Sequence, residues 1–137
     1  MALKESLACA LAGITLIWLT GCGGGSGDGG EDAEGIKKTQ FTQIYDIVTV
    51  YAKKHQQQPP KSLSDLQQFE LINPVGVRAL KDNAIVLNFG VIPNKGSSAI
   101  LAYEKDADKQ GGLALLADGN VKKLSADEMK GKTSQKR

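Results

Sequence analysis

Hydrophobic residues in this chain gather into one unbroken block, one helical stripe and four short β-rich runs, separated by polar and Gly-rich stretches. The block extends from Leu7 to Leu19, about 13 residues, behind a single early cation, Lys4. A bilayer-crossing helix needs roughly 20 apolar residues, so the block is short for a permanent span and has the length and order of parts of an export signal. The stripe comes next. Phe41, Ile44, Val48, Tyr51 and His55 recur at spacings of three and four, with Ile47 alongside, which predicts the apolar face of an amphipathic helix from about Ile36 to Gln56. Pro59 and Pro60 stop it, because proline lacks the N–H that a helix needs and restricts the residue before it.

Ser62, ahead of Leu63-Ser64-Asp65-Leu66, predicts an N-cap opening a short second helix to about Phe69, and Pro74 to Lys81 predicts a third helical turn. Beyond Asn83 the pattern changes. Ala84–Val91, Ala99–Tyr103, Leu113–Ala117 and Val121–Leu124 are rich in β-formers. Asp118-Gly119-Asn120 between the last two predicts a tight hairpin turn. Ser125-Ala126-Asp127-Glu128 predicts a capped final turn of helix. The expected fold class is α+β, with one long N-terminal helix laid across a small antiparallel sheet of three to four strands.

Composition divides the chain further. The stretch from Gly23 to Gly35 is Gly-rich and acidic, with nothing apolar larger than Ala33, so it cannot bury a core and is expected as a flexible spacer spanning roughly 20 Å. The expected organisation is a signal over residues 1–21, a linker over 22–35, one folded domain over 36–130 and a frayed basic tail over 131–137. Cys9 would leave with the signal, and Cys22 alone can form no internal disulfide. With 17 Lys and Arg against 15 Asp and Glu, the net charge is +2 and no dense basic stripe lies inside the domain. Nucleic acid is therefore not an expected partner.

The four residues Leu19-Thr20-Gly21-Cys22 resemble the lipobox of bacterial lipoproteins at every position. That resemblance implies removal of residues 1–21, a diacylglyceryl group on the Cys22 thiol, acylation of the new amino group and attachment to a membrane outside the cytoplasm. Two or three acyl chains make such attachment stable, where one holds only marginally. Gly23, standing where some lipoproteins carry Asp, resembles an outer-membrane sorting pattern.

A second resemblance covers most of the folded part. Tyr51, then Pro59-Pro60-Lys61-Ser62-Leu63 and Asp65-Leu66, is similar to the helix-to-loop passage of type II secretion pseudopilins and type IV pilin heads. Ile100 to Lys105, Gly111-Gly112 and Leu115 to Val121 resemble the prepilin-associated domain abundant in planctomycetes, whose signature is a histidine, nine residues, then Asp-Gly. The signature histidine would fall at position 108, which is Asp108 here. A lipobox and spacer also stand where a pilin carries its long apolar helix, so the resemblance implies a pilin-like head re-anchored by lipid, without polymerisation into a fibre.

Residues able to carry chemistry are few. His55 is the only histidine, and pairing it with Ser97 or Ser98 after Gly96 would make a nucleophile and base, but no nucleophile-elbow pattern or orienting partner accompanies them. Asp106, Asp108 and Gly111 resemble the first half of a calcium loop, yet the closing position is Ala117, and Lys105 and Lys109 flank the acids. Asp118 and Gly119 are explained by the turn they make. The expectation is a non-enzymatic, lipid-anchored envelope protein with no cofactor. Its role would be structure or contact with envelope or secretion-system proteins. The alternative is an envelope module binding a ligand or calcium near Asp106 and Asp108.

Overall fold

The computed structural model describes residues 29–133. The export signal and the lipid-attachment residue Cys22 lie outside the described residues. The fold is α+β, a long helix against a four-stranded antiparallel sheet.

Helix α1 (Gly29–Lys54) begins seven residues before Ile36, so residues 29–35, expected as spacer, are helical. Local bonds account for the extension. Lys38 Nζ meets Glu34 Oε1 at 2.9 Å, one turn apart, and Thr39 Oγ1 donates to Gly35 O at 3.1 Å. Once a helix is nucleated, each added residue gains a hydrogen bond, and such i,i+4 pairs add a little more. At the other end Gln56 and Gln57 turn left-handed, with φ of 54° and 62°, and Gln57 N donates to Ala52 O at 2.7 Å. That six-to-one bond is a Schellman closure.

Helix α2 (Ser64–Gln67) is not capped by Ser62, contrary to expectation. Leu63 holds the N-cap position with helical backbone, and the Asp65 carboxylate accepts N–H bonds from Lys61 and Ser62 at 2.9 and 3.0 Å. The carboxylate satisfies both donors at once, a charge-assisted closure of the turn that leads into α2. Helix α3 (Pro74–Lys81) forms where the sequence predicts and presses Gly76 onto α1. A Cβ at Gly76 would come within 2.8 Å of Gln43 Cβ, and Gly76 N donates to Gln43 Oε1.

The sheet runs β1 (Ile85–Leu87), β2 (Ile100–Glu104), β3 (Gly112–Leu116) and β4 (Val121–Leu124), paired in that order. β1 is shorter than the β-rich run from Ala84 to Val91, because Gly90 takes φ 96° and Val91 N turns back to Asn88 O. Two short helices join on the other side: α4 (Ala107–Gln110) between β2 and β3, and α5 (Ala126–Thr133) after β4. Ser125 and Glu128 form the predicted capping box, with Ser125 N donating to Glu128 Oε2 at 2.9 Å and Glu128 N to Ser125 Oγ at 3.3 Å. α5 then continues to Thr133, into the stretch expected as a frayed tail.

Both faces of the sheet are buried. Phe41, Ile44, Ile47, Val48, Leu66, Val77, Leu101, Ala102 and Leu115 make one core under α1, α2 and α3. Ile100, Ala107, Ala114, Leu116, Leu124 and Met129 make a second under α4 and α5. Strict alternation would send Leu101 and Ala102 to opposite faces. The register shift between Ile100 and Ala102 opposes two residues of β2 to one of β3, so both point toward α1.

Candidate functional site

The chemistry-bearing residues singled out from sequence fall at separate places. His55 stands at the end of α1, exposed, with its ring stacked on that of Tyr51 at 4.1 Å between centroids and 21° between planes. It lines a shallow hollow with Lys54, Gln56, Gln58, Pro59 and Lys61, and Lys54 Nζ sits 5.6 Å over the Phe69 ring. Ser97 and Ser98 line a different hollow, with Asn88, Val91, Ile100 and Lys132, and the two hollows share no residue. A base must reach within about 3 Å of its nucleophile, and the structure does not bring His55 to either serine. Ser97 Oγ instead accepts from Ala99 N at 3.4 Å, and Lys132 Nζ donates to Ser98 O at 3.3 Å.

Asp106 opens α4 in a left-handed conformation, φ 66°, and its Oδ1 accepts from Lys109 Nζ at 2.8 Å. That hydrogen bond, then the charge of Lys109, holds the Asp106 carboxyl below the usual carboxylate range, and the same pairing holds the Lys109 ammonium above its own. A cation arriving here would have to displace the ammonium. Asp108 lies in the first turn of α4. Among the described residues no three His, Cys, Asp or Glu side chains converge as a metal-holding group.

Asp118 is spent within its turn. Its Oδ1 accepts from Asn120 N and its Oδ2 from Asn120 Nδ2, each at 2.9 Å. The backbone bond first, and the side-chain bond next, hold its carboxyl low. Gly119, φ 93°, passes so close to Tyr45 of α1 that a Cβ would lie 3.2 Å from the ring.

One charged residue that sequence reasoning left without a role is central to the fold. Glu104 ends β2 with its side chain 19% exposed, its Oε1 accepting from Lys37 Nζ of α1 at 2.7 Å and its Oε2 from Leu113 N of β3 at 2.6 Å. Burial pushes its carboxyl up, but the Lys37 bond, the Leu113 N–H and the charges of Lys37 and Lys123 outweigh it and leave it low. The available signal was an acid directly after the apolar run Ile100 to Tyr103.

No known family, curated protein or solved structure matches the chain. Glu34, Asp65, Glu104, Asp106, Asp118 and Glu128 are all held below the usual range by hydrogen bonds and neighbouring lysines. A general acid working near neutrality needs the opposite shift. These carboxylates behave as fixed acceptors that close turns and join elements. No described helix is long and apolar enough to cross a membrane.

Proposed function

We propose that this is a lipid-anchored envelope protein without catalytic activity, whose pilin-head-like domain serves structure or protein contact outside the cytoplasm. The observation that carries this reading is the match of Leu19-Thr20-Gly21-Cys22 to a lipobox directly behind a short apolar block. Two features support it. His55 lies in a different hollow from Ser97 and Ser98, and Asp106 and Asp118 are tied into their own turns. The long helix over an antiparallel sheet is the arrangement that the pseudopilin resemblance implies, and α1 starts seven residues after Cys22 in the sequence. Partners are envelope or secretion-system proteins, and the membrane is reached through lipid on Cys22.

The test is metabolic labelling in a bacterial host with an alkynyl fatty acid. The wild-type product should carry the label and a mature terminus at Cys22, whereas Cys22→Ser should incorporate none. An unlabelled wild-type product, or a terminus mapped elsewhere, overturns the proposal.

A further inference from the structure

Six large hydrophobic residues are exposed among the described residues, and five of them lie on α1, on α3 and in the turn before α3. Leu71, 96% exposed, and Ile72, 76% exposed, occupy the turn between α2 and α3, and Val75 follows in the first turn of α3. Ile36 and Val50 stand seven residues before and after Gln43 on α1. Seven residues are two helical turns, so all three share a side. That is the side on which Gln43 Oε1 accepts from Gly76 N of α3, and there Gln40 lines a hollow with Pro74, Val75 and Arg78. The sixth residue, Phe89, follows β1. Single exposed aliphatic residues are ordinary, but a gathering of them marks a surface that meets something.

The bordering charges cancel. Lys81 pairs with Glu70 at 2.5 Å and Arg78 with Asp82 at 3.5 Å, and around Val50 the exposed Asp46 offsets one of Lys53 and Lys54. Attraction to anionic groups is therefore weak, and whatever covers the flank does so through apolar contact. The position of the chain's anchor selects the occupant. Cys22 stands seven residues before Gly29, a stretch that spans at most about 25 Å when fully extended. Acyl chains on Cys22 would keep the flank within reach of a bilayer at high effective concentration, where a weak contact suffices.

We infer that the flank of Ile36, Val50, Leu71, Ile72 and Val75 lies against the lipid surface, with Leu71 and Ile72 entering the boundary between headgroups and acyl chains. This rests on the lipid-anchor reading above. The domain then reclines on the bilayer with α3 downward, as an interfacial element does, and the opposite sheet edge, β4, faces away.

A tryptophan reporter tests it. In a Trp18→Phe background the protein has no other indole, and Leu71→Trp replaces a side chain that supports no packing. The full-length protein, extracted from host membranes, is reconstituted into phosphatidylcholine vesicles with or without brominated acyl chains. L71W should emit at shorter wavelength and lose most of its emission to the brominated lipid, while Lys122→Trp on β4 should do neither. L71W as unquenched as K122W overturns the inference. A blue-shifted, concentration-dependent but unquenched L71W also overturns it, assigning the flank to a second copy. The mass at Cys22 in the same sample reads the anchor independently. Quenching without acylation would sink the anchor and keep the flank, and acylation without quenching would do the reverse.

Discussion

Gly119 and Gly96 separate two reasons for a glycine. Both take left-handed backbone, φ 93° and 88°, yet a Cβ at Gly96 meets nothing within 4 Å while one at Gly119 strikes the Tyr45 ring. Gly96→Ala should therefore lose only the backbone term, about 1 kcal/mol, and Gly119→Ala should lose about 1–3 kcal/mol more through crowding. Urea midpoints of the two variants check this, and equal losses would mean that the Tyr45 contact yields freely. The turn itself was legible, because Asp118-Gly119-Asn120 satisfies its own donors within three residues. The ring above it was not, because Tyr45 lies in a different element and no local pattern links the two. His55 shows the same limit. Its place at the end of the stripe was readable, while its stacking on Tyr51 and its separation from the serines are set by side-chain rotamers and tertiary packing.

Glu104 joins three elements, and its effect should be visible in acid. Its carboxyl is lowered from an ordinary value near 4.5, so the unfolded chain takes up the proton at a higher pH than the folded one. The stabilisation is whole above that value and declines as pH falls through it toward the lower folded value. Glu104→Gln should be less stable than wild type at pH 7, and the gap should narrow below pH 4.5. Denaturant midpoints across pH for both chains measure it, and a gap constant with pH would remove the charge from the explanation. At this scale α3 and β4 formed where their patterns predict, since proline at a helix start and a tight hairpin turn are local devices. Elsewhere a neighbour in space decided instead of the local pattern. The Asp65 carboxylate bound the backbone N–H groups of Lys61 and Ser62 while Ser62 stayed outside the cap of α2, Lys38 helped carry α1 back through a Gly-rich stretch, and Gly90 cut β1 short.

Helices on both sides of the sheet make the final helix part of the core. Met129 is fully buried with Ile100, Leu116 and Leu124, so Met129→Ala should cost about 2–5 kcal/mol, against at most about 0.5 kcal/mol for a residue in a solvated tail. Thermal unfolding distinguishes the two outcomes. The α+β class and the helix over the sheet were legible from the change of hydrophobic period near Asn83. The second layer was not, because α5 carries a single large apolar residue amid charges and reads as solvent-facing on its own.

The bulge in β2 acts on the molecule as a change of parity. Upstream of Leu101 odd positions look one way, and downstream of it they look the other, so Ile100 and Tyr103 end on the same face although an odd number of steps separates them. Deleting Leu101 would restore simple counting, and Ile100, Ala102 and Tyr103 would keep both their partners on β3 and their faces, with only the Leu101 side chain lost from the core beneath α1. The extra residue is thus a way of placing one more aliphatic side chain on the α1 face, and a lineage could drop it without turning the rest of β2 over.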